Sequence, residues 1–252
     1  MNIFDFHTHF LDIRNLDGEL ADLAEKWRMR AAISCLGLNG RLLAEPSLDA
    51  VQRCNDKVAA WSAKYPQVFY PFCYINPKHG LNAVREIRRC RRVHRMKGVK
   101  LWIACRCSDR RLRPVIEEAA ALNLPVLQHA YARTSRNLPG ESYPEDVAEL
   151  SVKYPQAKII MAHMGFDWQR GVDAVKPCRN VAVDTSGFDP ESGSVEYAVR
   201  QLGAGRVIYG SDAPGRDILC QIGKVVSANI SEVDRTRIFF RNAESLLPKD
   251  DY

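Results

Sequence analysis

Eight short apolar segments separated by amphipathic stretches are the feature that most limits the folds open to this chain. The segments are rich in Val, Ile and aromatic residues, and they are often continuous rather than alternating with polar residues. Such segments are typical of strands that are buried on both faces of a parallel sheet. They lie near residues 2–10, 30–38, 68–76, 97–103, 125–130, 158–165, 181–187 and 206–214.

The stretches between these segments have the periodicity of helices. Helices are predicted near residues 16–28, 48–64, 81–94, 112–122, 144–154 and 194–202, with a final helix at 232–247. Eight strands alternating with helices in 252 residues predict an α/β protein with one domain, a (β/α)8 TIM barrel that spans residues 1–252. An open doubly wound sheet is the alternative.

Composition excludes several classes of protein. Hydrophobic residues make up 46% of the chain and charged residues 26%, which is the composition of a globular domain and not of a disordered one. No segment approaches the roughly 20 apolar residues of a membrane span. The first residues do not resemble a secretory signal, so the eight cysteines are expected to be reduced thiols. We therefore expect a cytoplasmic protein without membrane association, and a homo-oligomer remains open.

The positive charge is concentrated in one segment. Without this segment the chain has 29 basic and 29 acidic residues. A generally basic surface for nucleic acid is thus not supported, and a solvated outer helix is favoured over a nucleic-acid-binding one. The segment contains one acid, Glu86, and the basic residues Arg85, Arg88, Arg89, Arg91, Arg92, Arg95 and Lys97.

Polar residues follow several of the predicted strands, at the barrel end where active sites are built. Four of the six histidines fall there: His7, His9, His129 and His163. Asp212 follows the eighth strand. A single strand histidine is usually a hydrogen-bonded core residue, but four of them together with an aspartate favour a functional site.

The spacing of the first two histidines indicates a metal site. His7 and His9 are two residues apart on a strand, so their side chains share one face. A third histidine and a carboxylate from other strands would complete a set of three nitrogens and one oxygen of the kind that zinc prefers, with room for water.

Motifs along nearly the whole chain carry a family resemblance. They are Asp5-Phe6-His7-Thr8-His9, Gly98-Val99-Lys100-Leu101, Gln128-His129, Ala162-His163-Met164-Gly165, Val183-Asp184-Thr185-Ser186-Gly187, Tyr209-Gly210-Ser211-Asp212 and Asn242-Ala243-Glu244-Ser245-Leu246-Leu247. The chain resembles the amidohydrolase superfamily, and within it the amidohydrolase-2 branch that includes aminocarboxymuconate-semialdehyde decarboxylase-like proteins.

The resemblance implies roles for individual residues. It makes His7, His9, His129 and Asp212 the ligands of one divalent metal ion, most simply zinc, with manganese or iron as alternatives. It assigns catalysis to His163 and Asp212.

Substrate contacts are expected from Lys100 and Trp102 on the fourth strand and from Arg133 in the loop that follows the fifth strand. A buried lysine is costly unless it is paired or lines a polar cavity, so a cationic Lys100 that contacts an anionic small molecule is favoured. The alternatives are a carbamylated Lys100 that bridges two metals and a Lys100 that faces outward or is merely structural. Arg136, in the same loop, is a second candidate for binding an anion.

These residues predict a metal-dependent hydrolase of a small amide, ester or lactone. Metal-activated water would be the nucleophile, Asp212 would carry its proton, and His163 would stabilise the oxyanion. Non-oxidative decarboxylation of a small aromatic or unsaturated carboxylic acid is the closest alternative, and a metal-storage or structural role is another.

Other polar residues are given structural interpretations. His79 and His94 are expected on the surface, and Cys105 and Cys107 form a CxC that is weak evidence for a metal site. The other six cysteines are expected in the core. Asp184 is expected either to orient its neighbours or to face the substrate.

Overall fold

The strands follow one another around a parallel sheet in chain order. A computed structural model describes residues 2–187 and 190–249. The strands are β1 (Ile3–His9), β2 (Met29–Ser34), β3 (Phe69–Tyr74), β4 (Gly98–Leu101), β5 (Val126–Gln128), β6 (Ile159–Met161), β7 (Val181–Asp184) and β8 (Val207–Ile208). Each of these strands coincides with one of the eight apolar segments, with β2 beginning one residue before its segment, so the prediction is confirmed.

Backbone hydrogen bonds join the first strand to the chain that follows the last one. The amide of Phe6 donates to the carbonyl of Tyr209 at 2.9 Å, and the amide of Asp212 donates to the carbonyl of His7 at 2.8 Å. An open sheet would leave both edge strands unpaired on one side. The fold is therefore a TIM barrel, and the open doubly wound alternative is wrong.

Helices cover the outside of the sheet. They are α1 (Arg14–Lys26), α2 (Leu48–Ser62), α3 (Leu81–His94), α4 (Arg113–Ala121), α5 (Pro144–Lys153), α6 (Trp168–Val175), α7 (Ser194–Leu202) and α8 (Ile218–Val226). The six helices predicted before the closing one are confirmed, with ends that differ by no more than a few residues. Helices α6 and α8 are not among those predicted from the sequence. Gly171 lowers the helix propensity of α6. Glycine is needed at this position because a Cβ would lie 1.8 Å from the carbonyl oxygen of Met164.

The closing segment is not the single regular helix that the sequence predicts for residues 232–247. It consists of an α-helix at Glu232–Thr236, a π-helical turn at Arg237–Arg241 and a second α-helix at Asn242–Leu246. The carbonyl of Ile238 accepts a hydrogen bond from the amide of Tyr209 at 2.9 Å. Because this carbonyl accepts a hydrogen bond from the residue after β8, the regular hydrogen-bond pattern of the helix is interrupted there.

Two apolar layers support the barrel. The larger layer lies between the strands and the helices. The smaller layer fills the barrel interior and includes Phe4, Phe6, Phe72, Leu127, Ile160 and Ile208. Phe6 and Phe72 meet edge to face, with ring centroids 5.3 Å apart. The interior is packed with side chains, so a binding site can form only at its ends.

The cysteines depart from the prediction at one position. Of the six expected in the core, Cys35, Cys54, Cys73, Cys90 and Cys178 are buried, but Cys220 is exposed near the start of α8. No helix in residues 2–187 or 190–249 has both the length and the apolar character needed to cross a bilayer.

Candidate active site

An irregularity in β1 aims two histidines into the barrel. Phe4 and Phe6 belong to the interior apolar layer, whereas His7 and His9 line the cavity above it. Strict alternation along a strand would send residues 6 and 7 to opposite faces. The pairing with β2 shifts by one residue between Asp5 and Thr8, which is a β-bulge that re-aims the following side chains.

The carboxylate of Asp5 stabilises this bulge. It accepts a hydrogen bond from the amide of His7 at 3.0 Å and another from the amide of Ser211 at 2.9 Å. Asp5 thereby connects β1 to the residues after β8. Sequence reasoning quoted Asp5 only as part of a motif, because nothing in the sequence shows where the strand becomes irregular.

His7, His9 and Asp212 come together at the carboxyl end of the barrel. One carboxylate oxygen of Asp212 lies 3.1 Å from Nε2 of His9 and 3.5 Å from Nε2 of His7. One ligand atom from each of the three residues lies within 4.8 Å of the others. Two imidazoles and a carboxylate are suitable donors for a divalent transition metal. The residues present therefore fit the metal that the resemblance implies.

Asp184, at the end of β7, orients the residues around this cluster. Its Oδ2 lies 2.8 Å from Nδ1 of His7, and its Oδ1 accepts the amide of His163 at 2.8 Å. The hydroxyl of Ser186 donates to the same Oδ1 at 2.6 Å. Of the two roles expected for Asp184, the structure supports the orienting one. With His7 and His163 it also forms a second group of potential metal ligands.

These contacts determine which nitrogen of His7 is available. Burial and the neighbouring charge of Lys100 lower the pKa of His7 to about 4, so the ring is neutral at pH 7. The pKa of Asp184 lies well below its usual range, because the charge and hydrogen bond of His7 outweigh the effect of burial. The ionised Asp184 can only accept, so Nδ1 of His7 carries the proton. Nε2 then keeps the lone pair that would bind a metal, and in this structure that nitrogen lies 2.6 Å from Nζ of Lys100.

Two residues predicted to be catalytic have left-handed backbone conformations. The φ angles of His163 and Asp212 are 62° and 64°, which is uncommon for residues other than glycine. Backbone strain of this kind concentrates at functional sites. Gly187 gives His163 its space, since a Cβ at Gly187 would lie 2.0 Å from Nδ1 of that ring.

His129 lies in the same cavity but outside the metal-ligand groups found among the described residues. Its Nδ1 is 3.1 Å from Nε2 of His163, and its Nε2 is 3.0 Å from a carboxylate oxygen of Glu141. The prediction that His129 binds a metal therefore remains a prediction. Burial lowers the pKa of both His129 and His163, so both rings are neutral at pH 7.

Lys100 points into the barrel. Its side chain is 1% exposed, and its Nζ lies 2.6 Å from Nε2 of His7. Burial lowers the pKa of Lys100 to about 8, with partial compensation from the charges of Asp212 and Asp184. Because this value is above 7, the amine is largely protonated at neutral pH. The outward-facing alternative is wrong, and a cation next to the candidate metal ligands is consistent with the favoured one.

A cavity of about 250 Å³ opens above these residues. Trp102 and Arg133, both expected to contact substrate, line it. Arg133 is not free, since its guanidinium binds Glu141 through two hydrogen bonds of 2.8 and 2.9 Å. The cavity is lined by His7, His9, Leu11, Leu36, Leu42, Lys100, Trp102, Ile103, His129, Tyr131, Arg133, Leu138, Glu141, His163, Asp212 and Gly215.

Several other candidates lie outside this cavity. His79 and His94 are half-buried on the outer surface, and His94 lies 2.9 Å from Asp56. Burial raises the pKa of Cys105 to about 11 and that of Cys107 to about 12, so both are protonated thiols that are poorly suited to bind metal. Arg136 is exposed and does not line the cavity.

The basic segment forms most of α3, on the outside of the barrel. Arg88 binds Glu118 of α4 through two hydrogen bonds. Arg89 binds both Glu86 and Asp56. These ion pairs are consistent with the solvated outer helix that the sequence favours.

Eight parallel strands with surrounding helices, and histidines and a carboxylate gathered where the strands end, define a TIM-barrel protein with a candidate metal site. The chain belongs to the amidohydrolase family Amidohydro_2, whose sequence profile matches residues 4–249. The family resemblance in the sequence is thereby confirmed. No curated protein matches the sequence at a significant level.

Solved structures similar to this chain include three aromatic acid decarboxylases. The 2,6-dihydroxybenzoate decarboxylase from Rhizobium has a TM-score of 0.76 and 17% identity, with 97% of each chain covered. The 5-carboxyvanillate decarboxylase LigW from Sphingomonas paucimobilis has a TM-score of 0.71 and 17% identity, with 98% of each chain covered. A dihydroxybenzoic acid decarboxylase from Polaromonas sp. JS666, with bound manganese and the inhibitor 2-nitroresorcinol, has a TM-score of 0.70 and 19% identity, with 97% of this chain and 96% of that chain covered.

Proposed function

We propose that this protein is a metal-dependent, non-oxidative decarboxylase of a small aromatic or unsaturated carboxylic acid. One observation carries the proposal: a metal-ligand cluster and the buried ammonium of Lys100 line the same small cavity. The decarboxylases with similar structures favour this reaction over the hydrolysis that the sequence first indicates.

The cavity suggests the size and polarity of the substrate. At about 250 Å³ it is at the small end of ligand pockets. Its lining combines the apolar side chains of Trp102, Ile103, Leu36 and Leu42 with polar side chains that include Lys100. A flat, apolar molecule with one acidic end would place its body against the apolar side chains and its anionic group against the polar ones.

His7, His9 and Asp212 would hold the metal, with His129 as the further ligand implied by the family resemblance. When bound, the ion supplies a positive charge that orients anionic oxygens of the substrate. Zinc is the expected ion, and manganese is a realistic alternative because one of the similar decarboxylases binds it. A single ion per chain remains a prediction.

Decarboxylation needs a proton at the carbon that bears the carboxylate. The carbon–hydrogen bond forms first, and the carbon–carbon bond to the carboxylate then breaks. Its electron pair returns to the substrate as carbon dioxide leaves. Asp212 and Glu141 are the carboxylates that line the cavity. Glu141 is held by Arg133 and His129, so Asp212 is the group that we expect to relay the proton, taking it from water and passing it to this carbon.

Lys100 and His163 have distinct tasks in this scheme. The ammonium of Lys100 stabilises negative charge on a substrate oxygen in a site of low polarity. The neutral ring of His163 is held by contacts of its two nitrogens with Ser186 and His129, and it lines the cavity together with Asp212 without adding a second cation. Removal of either group should slow the reaction.

Hydrolysis of an ester, amide or lactone is the second candidate. The observation in its favour is the pKa of Asp212, which lies well below its usual range because the hydrogen bond of His9 and the charges of His7 and His163 outweigh the effect of burial. An ionised Asp212 next to a metal site is a suitable base for water.

The two reactions can be separated by following turnover in D2O and, in parallel, in water labelled with 18O. The metal-loaded protein is incubated with hydroxybenzoates and unsaturated carboxylic acids, and in parallel with aryl esters and lactones. We expect release of carbon dioxide and one deuterium at the carbon that carried the carboxylate. Incorporation of 18O into a carboxylic acid product, with no release of carbon dioxide, would instead establish hydrolysis.

A further inference from the structure

Glu141 is a buried carboxylate in the loop that connects β5 to α5, and it is 1% exposed. One of its oxygens lies 3.0 Å from Nε2 of His129, and the other accepts the backbone amide of Leu138 at 3.0 Å. The guanidinium of Arg133 spans both oxygens. A loop residue with this many contacts is held in place rather than solvated.

Contacts within the loop hold this carboxylate in position. The side chain of Asn137 donates to the carbonyl of Tyr131 at 2.6 Å and accepts the amide of Arg133 at 3.1 Å. Gly140, with a φ angle of 78°, lets the loop pass close to β4, since a Cβ there would lie 2.1 Å from the carbonyl oxygen of Ile103. Residues 131–141 thus form a closed turn around Glu141.

The contact with His129 decides where its proton resides. Both oxygens of Glu141 accept hydrogen bonds from the guanidinium of Arg133, and one of them also accepts the amide of Leu138, so the carboxylate is an acceptor. Nε2 of His129 must therefore carry the proton that it donates to Glu141. A metal-binding imidazole is neutral, so with Nε2 protonated the lone pair lies on Nδ1, which is 3.1 Å from Nε2 of His163.

We propose that Glu141 is a positioning residue that fixes the tautomer and the ring orientation of His129, so that Nδ1 rather than Nε2 keeps the lone pair that a metal would need. Carboxylates that hold the remote nitrogen of a metal-binding histidine commonly have this effect on affinity. The inference rests on the metal site of the proposed function, but it does not depend on which reaction that site catalyses.

This arrangement changes the interpretation of Arg133. Its guanidinium neutralises Glu141 and lies 4.7 Å above the ring of Tyr131. Arg133 therefore acts through Glu141 and holds the loop on the barrel, in place of the direct substrate contact that the sequence predicts.

The test compares Glu141→Gln with a matched control. Asp146 is 5% exposed and, like Glu141, it binds an arginine, here Arg106, through two hydrogen bonds. Among the described residues it forms no hydrogen bond with a histidine. Asp146→Asn thus makes the same chemical change at a similar ion pair. The dissociation constant of zinc is measured for the full chain of each variant by competition with a chelator. Side-chain 15N NMR of the zinc-loaded proteins reports which nitrogen of His129 carries a proton.

Glu141→Gln should weaken zinc binding by about 10–100-fold, because the amide no longer compels Nε2 to donate. In the NMR spectra, Nε2 of His129 should be protonated in the wild type. In the variant, the proton should be found on either ring nitrogen. Asp146→Asn should keep the wild-type affinity and spectrum. Arg133→Met, which leaves the carboxylate in place, should keep the His129 tautomer.

Three results would overturn the inference. They are a folded Glu141→Gln protein with wild-type affinity and tautomer, an equal loss of affinity in Asp146→Asn, and a wild-type His129 that is protonated at Nδ1. A wild-type protein that binds no divalent ion would instead contradict the proposed function, and the tautomer measured without metal would still decide the role of Glu141.

Discussion

Nε2 of His7 lies 2.6 Å from the ammonium of Lys100. Nδ1 of the same ring lies 2.8 Å from Asp184, so the lone pair of Nε2 faces the ammonium, which a metal bound at Nε2 would have to displace. A cation and a metal-binding nitrogen thus share one buried position. This arrangement makes Lys100 the residue that should link metal affinity to the binding of an anion.

Lys100→Met should weaken the binding of a benzoate-type inhibitor by about 10–100-fold, the expected loss for one hydrogen bond to a charged group. The substitution should also tighten metal binding, because it removes a positive charge beside His7. Inhibitor affinity and metal affinity are measured by calorimetry on the full chain.

The control for this experiment is Lys158→Met. Lys158 is a half-buried lysine whose Nζ donates to the carbonyl of Leu246 and which does not line the cavity. This variant should leave both affinities unchanged. A Lys100→Met protein with unaltered affinity for the inhibitor would show that the lysine does not contact the substrate.

His9→Ala should remove most of the bound metal. It deletes one of the three side chains whose donor atoms lie within 4.8 Å of one another. Elemental analysis of the purified variant measures the loss. His79→Ala, at a half-buried histidine that contacts the carbonyl of Pro46, should keep its metal. Equal metal contents in the two variants would place the ion elsewhere.

Substitutions at His163 and Asp212 should separate metal binding from catalysis. His163→Asn should keep the metal, because His7, His9 and Asp212 remain, but its rate should fall by about 10²–10⁴-fold. Asp212→Asn should bind metal more weakly and lose nearly all turnover. Metal content and rate are measured on the same samples. A metal-free His163→Asn protein beside an active Asp212→Asn protein would reverse the two assignments.

The buried carboxyl group of Glu86, which lies away from the active site, should make the stability of the fold depend on pH. Burial raises its pKa, but hydrogen bonds from Arg89, Asn55 and Cys90 outweigh this effect and lower the pKa below the ordinary value of 4.5. A carboxyl group with a lowered pKa stabilises the fold above its unfolded-state pKa. The stabilisation is lost as the pH falls through the folded-state pKa.

Glu86→Gln should therefore reduce the free energy of unfolding at pH 7 by about 2 kcal/mol. The difference between wild type and variant should shrink as the pH falls below about 4.5. Urea unfolding between pH 3 and pH 7, measured as a series, tests this expectation. A difference that is independent of pH would mean that Glu86 is not ionised in the folded protein.

Much of the fold follows from the sequence because each strand has its own apolar segment and its own polar end. His7, His9, His129, His163 and Lys100 could be placed near one another in this way, since the carboxyl ends of parallel strands meet at one face. The breaks in regular structure could not be predicted. The bulge after Asp5 and the π-helical turn at Arg237–Arg241 depend on contacts between segments that are about 200 and 30 residues apart, respectively.

The supporting carboxylates show the same limit. Asp184 was a candidate, because it ends a predicted strand, but its bond to His7 joins residues 177 positions apart. Glu141 gave no signal, since it lies in a loop without periodicity and its role depends on the loop conformation.

The central claim is a single divalent ion held by His7, His9 and Asp212, and crystallography of the metal-loaded protein tests it most directly. Anomalous scattering at the absorption edge of the metal, combined with elemental analysis of the same preparation, gives the identity, number and position of the ions. The account predicts about one ion per chain, in contact with these three residues, and an unmodified amine on Lys100. Two ions bridged by a carbamylated Lys100, or an ion away from His7 and His9, would contradict it.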